Sequence, residues 1–159
     1  MAIVDTYTAR TTGTTVNAST WTPILGLQPA TTKRVFVVGI RIDIGVTTAA
    51  AGASVLFQLM RPGNSGSIVG TSAITPNPHD PAAPASLATS YATWSTAPTT
   101  GLVLWEQELP FTTGSSWEEF PPSGYEWVVP TTAAFGLVVA VTCSTANSTP
   151  FYTDLVFTE

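Results

Sequence analysis

Three groups of residues in this sequence have side chains that could do chemistry: a histidine beside an aspartate, a cysteine, and a stretch dense in glutamate and aromatic rings. His79 and Asp80 stand together in Asn-Pro-His-Asp-Pro. A catalytic pair must turn its two side chains toward each other, which adjacent residues rarely do, so an exposed loop histidine is the plainer reading. Cys143 is the only cysteine. It lies in an apolar alternating run and reads as a small buried hydrophobe with no partner for an intrachain disulfide. One histidine and one cysteine far apart fall short of the three or four ligands of a zinc site. The sequence has no Asp-rich oxygen-ligand loop for calcium and no glycine loop opening a helix to cradle phosphate. The expectation is a protein with no catalytic residue, no cofactor and no metal, and therefore not an enzyme.

The third group, residues 105–127, holds Glu106, Glu108, Glu118, Glu119 and Glu126, five of the ten acids, among Trp105, Trp117, Phe120, Tyr125 and Trp127. Paired carboxylates beside aromatic platforms are how glycosidases cut sugars. Aromatic faces with polar rims also hold carbohydrate without cutting it. A third reading puts Trp105 and Trp127 in a core and the glutamates on solvated strand faces. Alternation favours the third, because both tryptophans share phase with aliphatic neighbours while Glu106 and Glu126 are out of phase. Trp117 differs. It lies in Gly-Ser-Ser-Trp-Glu-Glu-Phe-Pro-Pro-Ser-Gly, between two strand patterns, where a large aromatic marks a partner contact or a loop packed onto the core. Trp21, in Thr-Trp-Thr-Pro, raises the same question. Trp21, Trp117, Glu118, Glu119 and Phe120 are the candidate interface residues.

The elements that must position these residues are strands. Residues 34–44 alternate with Phe36, Val38, Ile40, Ile42 and Ile44 on the inward face, and Val35, Val37, Gly39, Arg41 and Asp43 on the other. Residues 53–60 place Val55, Phe57 and Leu59 inward before Arg61-Pro-Gly-Asn turns the chain. Residues 102–109 set Val103, Trp105, Gln107 and Leu109 against Leu104, Glu106 and Glu108. Residues 125–129 set Tyr125, Trp127 and Val129 against Glu126. Residues 135–143 are apolar on both faces, as a central strand requires. Residues 151–157 close the chain with Asp154 outward, and residues 5–10, 20–25 and 67–74 are weaker candidates. Helix is nearly absent: Asp80-Pro81 could start a short turn, weakened by Pro84. Turn clusters recur about every 8–12 residues, the cadence of an all-β sandwich. The expected fold is an antiparallel two-sheet, jelly-roll-like sandwich of about nine strands. Residues 1–15 form an N-terminal arm or first edge strand, and residues 16–159 one β domain.

Composition narrows the function classes. The chain has 159 residues, a net charge of -5 and only 9% charged residues, against roughly 25% in a typical soluble domain. Thr and Ser supply about a quarter of it, and hydrophobic residues 44%. That composition is the reverse of disorder. Five basic residues, Arg10, Lys33, Arg34, Arg41 and Arg61, cannot neutralise a nucleic-acid backbone. The longest apolar stretch, residues 133–141, is about half the roughly 20 residues of a membrane span. Met-Ala-Ile-Val-Asp at the start has neither the basic nor the apolar region of a secretory signal, so the glycosylation patterns at Asn17 and Asn147 read as accidental.

The Trp-Glu-Gln-Glu-Leu-Pro stretch and the Gly-Ser-Ser-Trp-Glu-Glu-Phe-Pro-Pro-Ser-Gly-Tyr-Glu-Trp-Val-Val-Pro stretch, set in a charge-poor Thr/Ala-rich framework, resemble small virion proteins of tailed bacteriophages. The resemblance is to head decoration (cement) proteins and runs loosely over most of the chain. It implies a structural protein made in the host cytoplasm that, as a homotrimer on the capsid exterior, contacts the major capsid protein and reinforces the shell. The class has no sequence-defined site, so no residue role is carried over. Similar β modules serve in tails and host attachment, where a carbohydrate-binding face is the alternative.

Overall fold

The computed structural model describes residues 5–11, 13–16, 20–45, 53–63, 68–131, 136–144 and 149–159. The strands are, in order, β1 (Thr6–Arg10), β2 (Thr22–Gln28), β3 (Val35–Ile44), β4 (Ser54–Arg61), β5 (Ala73–Ile74), β6 (Asn77–Pro78), β7 (Thr89–Tyr91), β8 (Leu102–Pro110), β9 (Ser116–Glu119), β10 (Trp127–Val129), β11 (Leu137–Cys143) and β12 (Phe151–Thr158). One sheet runs β10-β3-β12-β1-β6, with β9 also pairing β3; the other runs β5-β7-β2-β11-β4-β8. All pairings are antiparallel. The two sheets pack face to face, so the molecule is an all-β sandwich, as alternation and turn spacing predict.

β9 and β10 lie end to end along the same side of β3 and act as one interrupted edge strand. Counting them so, β1, β12, β3 and β9/β10 form the first sheet, and β2, β11, β4 and β8 the second. The chain passes from sheet to sheet in the winding of a jelly roll. The excess over nine strands comes from the two- and three-residue pieces β5, β6 and β7 in the long connection between β4 and β8. No described residue is helical. Asp80 starts one turn, accepting from Ala83 N through its carbonyl and from Ala82 N through Oδ1. Pro84 follows without the N–H that a helix would need.

The core between the sheets is built from buried apolar side chains. Val55, Phe57 and Leu59 of β4 point inward as their alternation requires, against Ile40, Ile42 and Ile44 of β3 and Leu155 and Phe157 of β12. Tyr7 stacks on Phe157, and Phe57 and Phe111 both meet Phe151. β11, central in its sheet, is buried on both faces: Leu137, Val139 and Val141 in the main core, Val138 and Ala140 in a second cluster with Met60 and Ile68.

Strand β3 corrects the alternation read from sequence. Ile40, Ile42 and Ile44 are inward, but beyond them the buried residues are Val35 and Val37, while Phe36 is exposed. The pairing with β12 skips from Gly39 to Val37 between Val156 and Phe157, so Val38 is the extra residue of a β-bulge, which moves every following side chain to the other face. Strand β8 does the same: Leu59 pairs Trp105 and Met60 pairs Val103, which leaves Leu104 extra and turns Val103 out to solvent.

Candidate interaction surface

The open side of the sandwich is where β8 ends one sheet and β9/β10 ends the other. Trp105 of β8 and Trp127 of β10 meet edge to face across it, ring centres 6.4 Å apart, and both pack on the core. Arg61, at the end of β4, donates Nη2 to the carbonyl of Val128 at 3.0 Å. These contacts tie the two sheets together. They give the two tryptophans the packing role that their phase indicates.

Four of the interface candidates, consecutive in the sequence, lie along one edge and alternate between its two faces. Trp117, Glu118 and Glu119 lie on β9, and Phe120 follows directly. Glu118 pairs with Arg41 in register and reaches its Nε at 3.5 Å on the outer face of the sheet. Trp117, opposite Ile42, shares the inward side at the rim and is 42% exposed. Phe120 is 60% exposed, yet one side of its ring covers Gly39: a Cβ there would stand 2.5 Å from the ring. Trp21 lies apart, half-buried against Met60, Ile68, Val138 and Ala140 on the outside of the other sheet.

Residues 120–126 interrupt the edge strand opposite the Val38 bulge. Tyr125 N donates to Pro122 O, and Gly124 occupies the left-handed region at φ 90°, the geometry of a type II turn. The Glu126 carboxylate accepts from Gly124 N at 2.9 Å through both oxygens, and this bond holds it below the usual carboxylate range. The turn swings Tyr125 out to 76% exposure, away from the inward position that alternation with Trp127 assigns to it. The Pro-Pro-Ser-Gly run is the sequence signal for that departure. Phe36, exposed by the bulge, had no such signal. Trp117, Phe120 and Tyr125 thus follow one another along one edge as exposed aromatics, Trp117 on its inward side and Phe120 on its outer face.

The outer face of this sheet carries a row of charges. Glu118, Arg41, Asp154 and Arg10 follow one another across β9, β3, β12 and β1, alternating in sign. Arg10 holds Asp154 with two hydrogen bonds, 2.7 and 2.8 Å, and Asp154 raises the Arg10 guanidinium above its ordinary value. Arg41 also holds Asp43 at 3.0 Å. The row is close to neutral, so the face presents little net field.

The other sequence candidates take local partners. His79 is exposed, shares a 2.6 Å hydrogen bond with Thr8 Oγ1 and gives its backbone N–H to Thr6. Asp80 serves its own turn. Glu106 accepts from Gln58 Nε2 at 3.1 Å, away from Glu126 in its turn. Cys143 is buried beneath a shallow depression of about 290 Å³ lined by Ser54, Leu56, Glu108, Thr142 and Ser144. Among the described residues no three His, Cys, Asp or Glu gather as metal ligands, and no helix is long and apolar enough to cross a membrane. Residues 1–4, Asn17 and Asn147 lie outside the described residues, while Thr6–Arg10 enters the sheet between β12 and β6. No protein-family model matches this chain, and neither a curated protein nor a solved structure matches it.

Proposed function

We propose that this chain is a non-enzymatic structural protein of a bacteriophage virion that docks on the capsid exterior as a homotrimer and stabilises the shell. The observation that carries the proposal is the aromatic row Trp117, Phe120 and Tyr125, exposed on an edge fixed at both ends by pairing to β3. Rigid aromatic rings with few rotatable bonds bury large area at small entropic cost, the property of interface anchors. The charge-poor surface supports the same reading, since shape then specifies the partner more than long-range attraction does. A trimer would present the row three times, so contacts weak singly would hold together. Jelly rolls are found in viral capsid proteins and in lectins, and that analogy supports the class of function without locating the contact.

The test is solution mass followed by co-sedimentation with expanded capsids. The reading expects a trimer that pellets with capsids, and loss of pelleting for Trp117→Ala/Phe120→Ala with the trimer mass intact. A monomer that ignores capsids would overturn it. One observation favours a second reading: the edge that exposes Trp117 and Tyr125 also carries Glu118, Glu119 and Glu126, and aromatic rings with carboxylates on one edge suit sugar. Binding to glycans with no affinity for capsids would decide for that module.

A further inference from the structure

The four lateral edges of the sandwich are unequal. β5 and β6 are two residues long, and β9/β10 is broken into four and three residues by the Pro121-Pro122 turn. β8 is nine residues long, and among the described residues it pairs on one side only, with β4. Short, broken edges resist pairing with other chains, whereas a long edge invites it.

The hydrogen-bond phase of β8 follows from one contact. Phe111 N donates to Ala53 O, and residues 111 and 53 continue the register that pairs Pro110 with Ser54. Bonded and non-bonded pairs alternate in an antiparallel ladder. Leu109, Gln107 and Trp105 therefore bond β4, while Glu108 and Glu106 turn their N–H and C=O toward the outer edge. Pro110 agrees: its missing N–H falls on that side, where a sheet tolerates proline. So does Gln107, whose Nε2 donates to the Glu108 carbonyl at 2.8 Å, as a side chain does when no strand occupies that place. The two residues that present backbone to the edge are both acidic, and both carboxylates lie on the outer face with Gln58 and Leu56.

The geometry points to β8 as a docking edge for an extended polypeptide segment of another protein, added as a further strand, with basic side chains at alternate positions facing Glu106 and Glu108. Backbone bonds to the two glutamates would supply affinity, and the paired charges would fix register and choice of partner. A second copy of β8 is the wrong occupant: antiparallel self-pairing about Glu106 and Glu108 sets like charges opposite each other. This inference does not rest on the capsid reading. The occupant is defined by that chemistry alone, an extended segment with basic side chains at alternate positions, and the probe below contains no capsid component.

The test uses the full chain and a capped seven-residue synthetic peptide alternating valine and lysine, read by amide hydrogen exchange. Without peptide, the Glu106 and Glu108 amides exchange fast and the Gln107 and Leu109 amides slowly. With peptide at millimolar concentration, exchange at Glu106 and Glu108 slows by about tenfold or more, and the same peptide with glutamate for lysine leaves it unchanged. Glu108→Pro removes an outward donor while leaving every bond to β4, so the fold stays and protection at Glu106 is lost. Glu106→Lys/Glu108→Lys keeps the backbone donors and transfers the preference to the acidic peptide. The inference is overturned by unchanged exchange at Glu106 and Glu108, by equal response to both peptides, or by protection that falls elsewhere. Loss of capsid binding in the preceding experiment would leave these results standing.

Discussion

The two sheets use one packing device to opposite ends. On the outside of the β2/β11/β4 sheet, Ile68 and Trp94 sit over glycines: a Cβ on Gly26 would come within 2.9 Å of both, and one on Gly136 would collide with Ile68 and stand 2.7 Å from the Leu27 carbonyl. Trp94 completes the seat by donating Nε1 to the Ile68 carbonyl at 3.0 Å, and Ile68 is fully buried. On the outside of the other sheet, Phe120 sits over Gly39 in the same manner, but among the described residues its ring stays 60% exposed. The first arrangement is finished packing, in which the β4–β8 connection covers its own sheet. The second is half finished: the glycine fixes where the ring lies and leaves its far side exposed. The comparison separates apolar surface that the fold has used from apolar surface it has left, which exposure alone does not.

Breaking the finished seat has the largest expected effect. Ile68→Ala removes a fully buried side chain held between two strands and an indole, and the loss is expected at about 2–5 kcal/mol. Urea denaturation measures it, and a loss below about 1 kcal/mol would mean that the connection does not pack as described. Gly136→Ala comes next, at about 1–3 kcal/mol, because the added methyl meets the backbone carbonyl of Leu27 as well as Ile68, and a backbone atom yields less readily than a side-chain end. The open seat should respond weakly. Gly39→Ala displaces only the Phe120 ring, which is free to swing outward, so the cost stays below about 1 kcal/mol. Its binding effect should equal that of Phe120→Ala, since both remove the ring from its place. Equal stability losses at Gly39 and Gly136 would erase the distinction between the two seats.

The sequence made part of this legible. Strand β4 could be read residue by residue, because polar Gln58 and Ser54 break the apolar face and define the phase. β3 could not, because residues 35–38 are Val, Phe, Val and Val: with every side chain apolar, a one-residue bulge at Val38 leaves no trace in the pattern. The bulge in β8 hides behind Leu102, Val103 and Leu104 for the same reason. Of the candidate surface, Trp117 and Phe120 stood out because they sit among turn residues rather than in an alternating run. Trp21 showed the same signal and yet covers its own sheet, since a tryptophan outside a strand pattern packs on whichever face is near, and only the fold decides whether that face belongs to the same chain. The edge phase of β8 depends on register with β4, which is a long-range property and has no local signature.

The smallest effect belongs to the turn that holds the open seat in shape. Glu126 binds Gly124 N–H between Phe120 and Tyr125, and that bond lowers its carboxyl below its ordinary value. A carboxyl depressed in the folded state contributes stability that is present above its unfolded value and is lost as pH falls through the folded value. Because Glu126 is exposed, Glu126→Gln should shift the urea midpoint at neutral pH only slightly, and the difference from the parent should vanish on acidification. The site-specific reading is sharper. An NMR titration of the Glu126 carboxyl should place its midpoint below the value for glutamate in the unfolded chain, with the Gly124 amide proton moving upfield over the same pH range as its hydrogen bond weakens. A midpoint at or above that value would show that the turn is not braced by this carboxylate, and Tyr125 would then lack a fixed position beside Phe120. The aromatic row would be a flexible loop rather than a preset edge, and its advantage in entropy over an ordinary exposed loop would be gone.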